Sequence, residues 1–91
     1  MVKHLNITVQ GKVQGVFFRN GTKAVADQLG IRGSVRNTES GDVYIEAEAE
    51  PMLMDMFMEW CHKGPDAARV TEVKIEEGEV KNYRNFEVVR R

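Results

Sequence analysis

The 91-residue sequence contains one cysteine, Cys61, and only two prolines. A single cysteine cannot form an intramolecular disulfide, which favours a reducing compartment. No run approaches the roughly 20 apolar residues that a membrane-spanning helix needs. The opening residues MVKHLNITVQ carry charge and polar groups where a secretory signal would need an apolar stretch. The length suits one hydrophobic core, so we expect a single cytoplasmic domain, residues 1–91, with no membrane span.

Patterns that bind metals or nucleotides are also missing from the sequence. His4 and His62 have no partner at metal-ligand spacing, and the chain contains no CxxC or HExxH motif. The glycine-containing stretch 11–22 departs from the GxxxxGK[ST] pattern of a nucleotide P-loop. Cys61 is expected to have a packing role rather than to act as a nucleophile. We therefore expect no metal ion, no bound ATP or GTP and no cysteine nucleophile.

Charge is unevenly distributed along the chain, although the net charge is only −1. Residues 1–38 contain six basic residues and one acid, Asp27. A basic segment on a mildly acidic protein argues against a general nucleic-acid-binding surface and fits capture of a small anion. Chance clustering explains the asymmetry equally well on charge alone.

Alternating apolar and polar residues predict the strands. Residues 4–10 have the two-residue period of a strand with one buried face. Residues 31–37 and 43–49 alternate in the same way on either side of the turn sequence TESGD, which predicts an antiparallel hairpin. Two further β-rich runs lie at 70–75 and 86–89.

Two other segments have helical spacing. One face of the first segment carries Phe18, Thr22, Val25, Ala26 and Leu29. Gly30 stands where a helix-terminating glycine belongs. The second helix is predicted to begin at Pro51 and end at Gly64. Its predicted apolar residues are Leu53, Met56, Phe57 and Trp60. The order βαββαβ with a short extra C-terminal strand predicts a ferredoxin-like α+β sandwich, in which an antiparallel sheet carries both helices on one face.

Arg19 is the first candidate for a functional residue. It lies at the predicted start of the first helix, where the helix dipole disfavours a cation by about 0.3–1 kcal/mol. An oxyanion between the guanidinium group and the unpaired N–H groups of the helix start would reverse that preference. Gly11 and Gly15 precede the helix and allow the backbone to approach a ligand closely. An ordinary exposed arginine explains the position about equally well.

Asn37 is the second candidate, at the end of the second strand. Asparagines beside turns usually make local hydrogen bonds to the backbone. The carboxamide of Asn37 could also accept a hydrogen bond from a water molecule and donate one to a phosphate oxygen, and it carries no charge that would repel an anion. The spacing alone does not decide between the two roles.

Two segments give the chain a family resemblance. The segment GKVQGVFFR, residues 11–19, resembles the signature of the acylphosphatase family at every defining position. The segment GSVRNTESGDV, residues 33–43, is similar to the second motif of that family. Ser34 departs from it, because an aromatic residue usually stands there, and Ala49 replaces a later glycine. The first departure is expected to loosen packing beside the site, and the second to affect the fold more than the chemistry.

The resemblance implies an enzyme that hydrolyses carboxyl-phosphate mixed anhydrides without a metal or cofactor. It implies that Arg19 binds the phosphate and that Asn37 orients the attacking water. The phosphate site would be completed by backbone N–H groups of the segment before the first helix, those of Gln14, Gly15, Val16, Phe17 and Phe18. The expected partner is a small acyl phosphate. The sequence does not distinguish between acetyl, carbamoyl, aspartyl and glycerate-type phosphates. A monomer is the default expectation.

Three alternative functions remain. A non-catalytic phosphate- or metabolite-binding module could keep the same loop and lack turnover. An RNA-binding domain of the same element order is less favoured, because the third strand presents Tyr44 together with Glu46 and Glu48, acids expected to repel phosphates, and no RNP-like motif occurs. An accessory domain of a larger transferase is the third alternative.

Overall fold

The strands and helices follow the predicted order in a computed structural model that describes residues 1–90. The elements are β1 (Lys3–Lys12), α1 (Phe18–Leu29), β2 (Arg32–Asn37), β3 (Val43–Ala49), α2 (Pro51–Lys63), β4 (Arg69–Gly78) and β5 (Phe86–Val89). The ferredoxin-like α+β class is therefore confirmed. Strands β1 and β4 are longer than predicted, because charged and glycine residues at their ends continue the pairing.

The five strands form one sheet in the order β4-β1-β3-β2-β5. Strand β1 pairs antiparallel with β3 and β4, and β2 pairs antiparallel with β3. Strand β5 instead pairs parallel with β2, in the register Gly33 with Phe86 and Arg36 with Val89. The prediction of an antiparallel sheet is therefore wrong for this last strand, and the sheet is mixed. Residues 79–85, here called the connector, carry the chain from β4 at one edge to β5 at the other.

Both helices cover one face of the sheet. The side chains of alternate residues in β1, β2 and β3 point to this face and are fully buried, as the sequence pattern predicts; they include Ile7, Val9, Val35, Val43 and Ile45. Phe57 from α2 and Phe86 from β5 pack against each other in the same core, with ring centroids 6.1 Å apart. The core thus joins the C-terminal strand to the helical layer.

The helix ends agree with their sequence signals. Gly30 ends α1 in a left-handed conformation with φ 75°, and its N–H group donates to the carbonyl groups of Ala26 and Asp27. Pro51 begins α2, and Gly64 ends it. Within residues 1–90, no helix has the length and apolar character needed to cross a membrane.

The predicted apolar face of α2 needs one correction. Met56 was expected in the core but is 52% exposed. The buried residues of α2 are Met54, Phe57, Met58 and Cys61. The four alternating methionines make several helix faces look equally apolar, so the sequence pattern does not define which face packs on the sheet. Cys61 is fully buried, as predicted.

The other face of the sheet, here called the open face, is partly covered by the connector. His4 and Glu48 point to this face, yet they are 1% and 0% exposed. The backbone N–H groups of Lys81 and Tyr83 donate to the Glu48 carboxylate, and the Tyr83 ring stacks on the His4 ring. The expectation that Glu48 lies exposed beside Tyr44 is therefore wrong, because a connector with no alternating pattern covers it.

Candidate active site

The topology brings the end of β1, the start of α1 and the end of β2 to one edge of the sheet. Strands β1 and β2 both run antiparallel to β3, which lies between them, so their C-terminal ends lie side by side. A pocket of about 250 Å³ lies at this edge. Its lining residues are Val13, Gly15, Phe17, Phe18, Arg19, Asn20, Asn37 and Arg90. The two residues singled out by the sequence, Arg19 and Asn37, thus share one pocket.

Residues 14–18, here called the binding loop after the role expected of them, have an unusual backbone. Gly15 has φ 73°, and Phe17 has φ 63°, a left-handed conformation that is uncommon for a residue with a side chain. Phe17 is also the residue that precedes α1 at its N-cap position. Its ring is 79% exposed and forms part of the pocket rim. This backbone path allows α1 to begin directly beside the pocket.

The start of α1 is electrostatically suited to an anion. Within residues 1–90, no side chain caps this helix start, and its first turn contains no acidic residue. Unpaired backbone N–H groups give such a helix start a partial positive charge. Arg19 adds a full positive charge in the first turn and lines the pocket. An anion bound here would interact favourably with both.

Gln14 has a different environment from the one expected of a substrate-binding side chain. Its Nε2 donates hydrogen bonds to the backbone carbonyl groups of Thr38 and Asp42, at 2.8 Å each. The side chain therefore joins the binding loop to the β2–β3 turn that follows Asn37. It borders a groove on the open face rather than the pocket. Only the backbone of Gln14 can belong to a phosphate site built by this loop.

Two other loop side chains anchor the loop in the core. Val16 is 6% exposed and Phe18 is 1% exposed. The ring of Phe18 packs against Trp60 of α2, with centroids 5.3 Å apart, while part of Phe18 borders the pocket. Val16 is outside the pocket lining. As with Gln14, any contribution of Val16 to ligand binding must come from its backbone.

Three lining residues were not predicted from the sequence: Val13, Asn20 and Arg90. Arg90 follows β5, whose parallel pairing with β2 brings the chain past Val89 alongside Asn37. Its Nη2 donates to Asn20 Oδ1 at 3.5 Å. The strand at 86–89 was predicted, but its partner was not, so the sequence did not indicate that Arg90 reaches the pocket.

The ionisable groups with shifted pKa values lie away from the pocket. Burial raises the pKa of the Cys61 thiol far above its usual range, which makes it a poor nucleophile. Within residues 1–90, no Asp, Glu or His lines the pocket. The same described residues contain no group of three or more His, Cys, Asp or Glu side chains arranged to hold a metal ion.

Comparison with known proteins agrees with this geometry. The family model described as Acylphosphatase matches residues 5–88. The chain belongs to the acylphosphatase family. A curated acylphosphatase from Archaeoglobus fulgidus is 45% identical over 84 residues, which cover 92% of this chain and 94% of that protein. One from Ligilactobacillus salivarius is 45% identical over 89 residues, which cover 96% and 98%. The similarity to these relatives identifies the present chain as a hydrolase that acts on acyl phosphates.

A solved structure is also closely similar to this acylphosphatase. The structure of an acylphosphatase from Coxiella burnetii superposes with a TM-score of 0.93 at 39% sequence identity, covering 97% of this chain and 93% of that one. Such agreement over nearly the whole chain confirms the βαββαβ fold and its fifth strand.

The two departures from the family motifs lie outside the pocket lining. Ser34 is half-buried on the open face, paired with Glu46 of β3, and borders the groove there. Ala49 is buried at the end of β3 that pairs with Lys3, the end of the sheet opposite to the pocket. Its position agrees with the expectation that it affects the fold more than the chemistry. Looser packing beside Ser34 stays a prediction.

Proposed function

We propose that this acylphosphatase hydrolyses small acyl phosphates without a metal ion, with Arg19 holding the phosphoryl group and Asn37 orienting the attacking water. The observation that carries the proposal is the common pocket of Arg19 and Asn37 beside the uncapped start of α1. Its volume of about 250 Å³ lies just below the roughly 300–1,000 Å³ of pockets for drug-sized ligands, which suits a small substrate.

The phosphoryl group would bind between Arg19 and the binding loop. The guanidinium fork of Arg19 matches two phosphoryl oxygens. Backbone N–H groups of residues 14–18 would bind the remaining oxygen, with the partial charge of the α1 start as further support. Donors that the fold holds in place would need little reorganisation as charge builds up in the transition state.

The attacking water would bind to the carboxamide of Asn37. The carbonyl oxygen of Asn37 accepts a hydrogen bond from the water, and its amide group donates one to a phosphoryl oxygen. The water oxygen forms a bond to phosphorus while the opposite bond, between phosphorus and the acyl oxygen, breaks. The electron pair of that bond leaves with the carboxylate. The water proton passes to the phosphate product.

Neither a general base nor a metal ion is part of the proposal. The carboxylate is a good leaving group, so positioning and charge stabilisation can supply most of the catalysis. Positive charge for the phosphoryl group comes from the guanidinium group of Arg19 and from the N–H groups at the uncapped start of α1. A metal ion would add to a charge that these groups already provide.

The test is hydrolysis of benzoyl phosphate in ¹⁸O-labelled water with EDTA present. We expect turnover unaffected by EDTA, with the label in inorganic phosphate and none in benzoate. Loss of turnover on chelation would contradict the metal-free mechanism. Label in benzoate would contradict water attack at phosphorus. A correctly folded protein with no turnover would favour the binding-module alternative.

We also propose that the protein acts as a monomer in the cytoplasm on a small molecule rather than on a nucleic acid. The Glu46 carboxylate lies on the open face and pairs with Lys81 at 2.8 Å, so this face has no surplus positive charge at that point. Sedimentation at several concentrations is expected to give one monomer species. Filter binding with single-stranded RNA at low salt is expected to be negative.

A further inference from the structure

The pocket contains a second arginine that the phosphate chemistry does not require. Arg90 lies beyond the end of β5 and lines the pocket together with Arg19. Within residues 1–90, no acidic side chain forms an ion pair with Arg90, and its one side-chain hydrogen bond is to Asn20 at 3.5 Å. A single phosphoryl group is already matched by Arg19 and the loop N–H groups. The guanidinium group of Arg90 is therefore available to another anion.

The position of Arg90 indicates which part of a substrate it would meet. Arg90 and Asn20 line both the pocket and a surface groove between α1 and β5. Asn37 lines the pocket and the groove on the open face, but not the groove between α1 and β5. In-line displacement places the leaving group opposite to the attacking water. The groove between α1 and β5 is an opening of the pocket that Asn37 does not line, so an acyl group directed away from a water at Asn37 would extend into this groove, past Asn20 and Arg90.

The groove beyond Arg90 carries two other charged residues. Lys23 donates to the backbone carbonyl of Phe86 at 2.8 Å and pairs with Asp27 at 3.0 Å, so its charge is already engaged. Glu87 also lines the groove and would oppose an anion placed near it. The favourable location for a second anion is thus the boundary between pocket and groove, at Arg90 itself.

We propose that Arg90 binds an anionic group on the acyl portion of the substrate and so makes the enzyme prefer acyl phosphates that carry a second negative charge. This inference rests on the proposed function. Among the substrate classes that the sequence leaves undecided, this role of Arg90 favours those with a carboxylate or phosphate on the acyl group. Acetyl phosphate and other acyl phosphates with an uncharged acyl group are disfavoured. The guanidinium fork suits either anion.

The test compares benzoyl phosphate with 3- and 4-carboxybenzoyl phosphate, which add a carboxylate at two distances from the reacting group. The measured quantity is the ratio of kcat/KM for each carboxylated substrate to that for benzoyl phosphate. In Arg90→Gln we expect the higher of the two ratios to fall about ten-fold, the effect of losing one charge-assisted hydrogen bond. Arg90→Lys keeps the positive charge and is expected to retain part of the wild-type preference for the carboxylated substrate. Arg84→Gln, an exposed connector residue outside the pocket, is the matched control and should keep the wild-type ratio.

Salt gives a second readout, because Arg90 is exposed and its interactions are screened by ions. The wild-type ratio should fall toward the Arg90→Gln value as ionic strength rises. If benzoyl phosphate is hydrolysed and Arg90→Gln keeps the wild-type ratios of kcat/KM, the role of Arg90 is overturned. The proposed function is unaffected by that result. Absence of turnover on all three substrates would overturn the proposed function, and the role of Arg90 with it.

Discussion

The side-chain amide of Gln14 donates hydrogen bonds to the backbone carbonyl group of Thr38, 2.8 Å away, and to that of Asp42 at the same distance. Gln14 belongs to the binding loop, and Thr38 directly follows Asn37. One side chain therefore links the segment of the proposed phosphate site to the segment of the proposed water site. Catalysis that depends on positioning should be sensitive to this link.

Gln14→Ala is the substitution that removes the link. Two lost hydrogen bonds should lower the free energy of unfolding by about 1–3 kcal/mol. We expect kcat for benzoyl phosphate to fall by about ten-fold or more, since a shift of about 1 Å can cost about 100-fold in rate. Steady-state kinetics and urea unfolding measure the two effects. Gln10→Ala, on β1, is the matched control; equal kcat values for the two variants would contradict the positioning role of Gln14.

The left-handed glycine of the binding loop gives a second prediction. Gly15 has φ 73° and Gly30 has φ 75°, and a Cβ atom at either position would meet no neighbour within 4 Å. Alanine at each should therefore cost a similar backbone strain, about 1–2 kcal/mol. We expect Gly15→Ala to reduce kcat/KM for benzoyl phosphate by about ten-fold or more, through a displaced loop.

Gly30→Ala serves as the control, because Gly30 lies at the far end of α1 from the pocket. It should lose similar stability and keep its activity. Thermal unfolding and initial rates on the two variants separate strain from function. An active Gly15→Ala variant with the expected loss of stability would show that the loop conformation is not needed for catalysis.

The buried carboxylate of Glu48 gives a prediction about pH. Burial disfavours its charge, but hydrogen bonds from the Lys81 N–H group, His4 and the Tyr83 N–H group outweigh burial, so the pKa of Glu48 is held below its ordinary value of 4.5. Because the folded state binds the proton more weakly than the unfolded state, this contribution to stability is fully present above pH 4.5. It is lost as the pH falls through the lower, folded-state pKa.

Urea unfolding between about pH 7 and pH 3 measures this contribution. In Glu48→Gln we expect a lower free energy of unfolding at neutral pH and a shallower decline in acid, because position 48 no longer titrates. Glu59→Gln, at an exposed position of α2, is the control and should follow the wild-type curve. A Glu48→Gln decline as steep as that of the wild type would show that other groups carry the acid sensitivity.

Local periodicity predicted most of this fold, because alternation in strands and spacing in helices report which face of each element is buried. The partner of a strand is not local information. The run at 86–89 looks the same whether it pairs parallel or antiparallel, and its parallel pairing with β2 depends on the connector crossing the open face. The burial of Glu48 has the same origin, because the connector that covers it has no periodic pattern.

The candidate site was predictable to the same extent. Arg19 lies in the first turn of the helix after β1, and Asn37 is the last residue of β2. The βαββαβ topology brings these two strand ends together, and the two residue types suit an anion and a water molecule. The directions of the loop side chains were not predictable, because they depend on the backbone turns at Gly15 and Phe17. Arg90 was missed because its place in the pocket follows from the pairing of β5.

The measurement that tests the central claim most directly is the rate of benzoyl phosphate hydrolysis by Arg19→Ala and Asn37→Ala in the presence of EDTA. We predict that Arg19→Ala loses about 10²–10³-fold in kcat/KM, typical of losing one preorganised donor, with Asn37→Ala losing a comparable factor in kcat. Circular dichroism should show both variants folded, and Arg84→Ala should retain wild-type rates. Near-normal turnover in a folded Arg19→Ala or Asn37→Ala variant would contradict the assignment of that residue.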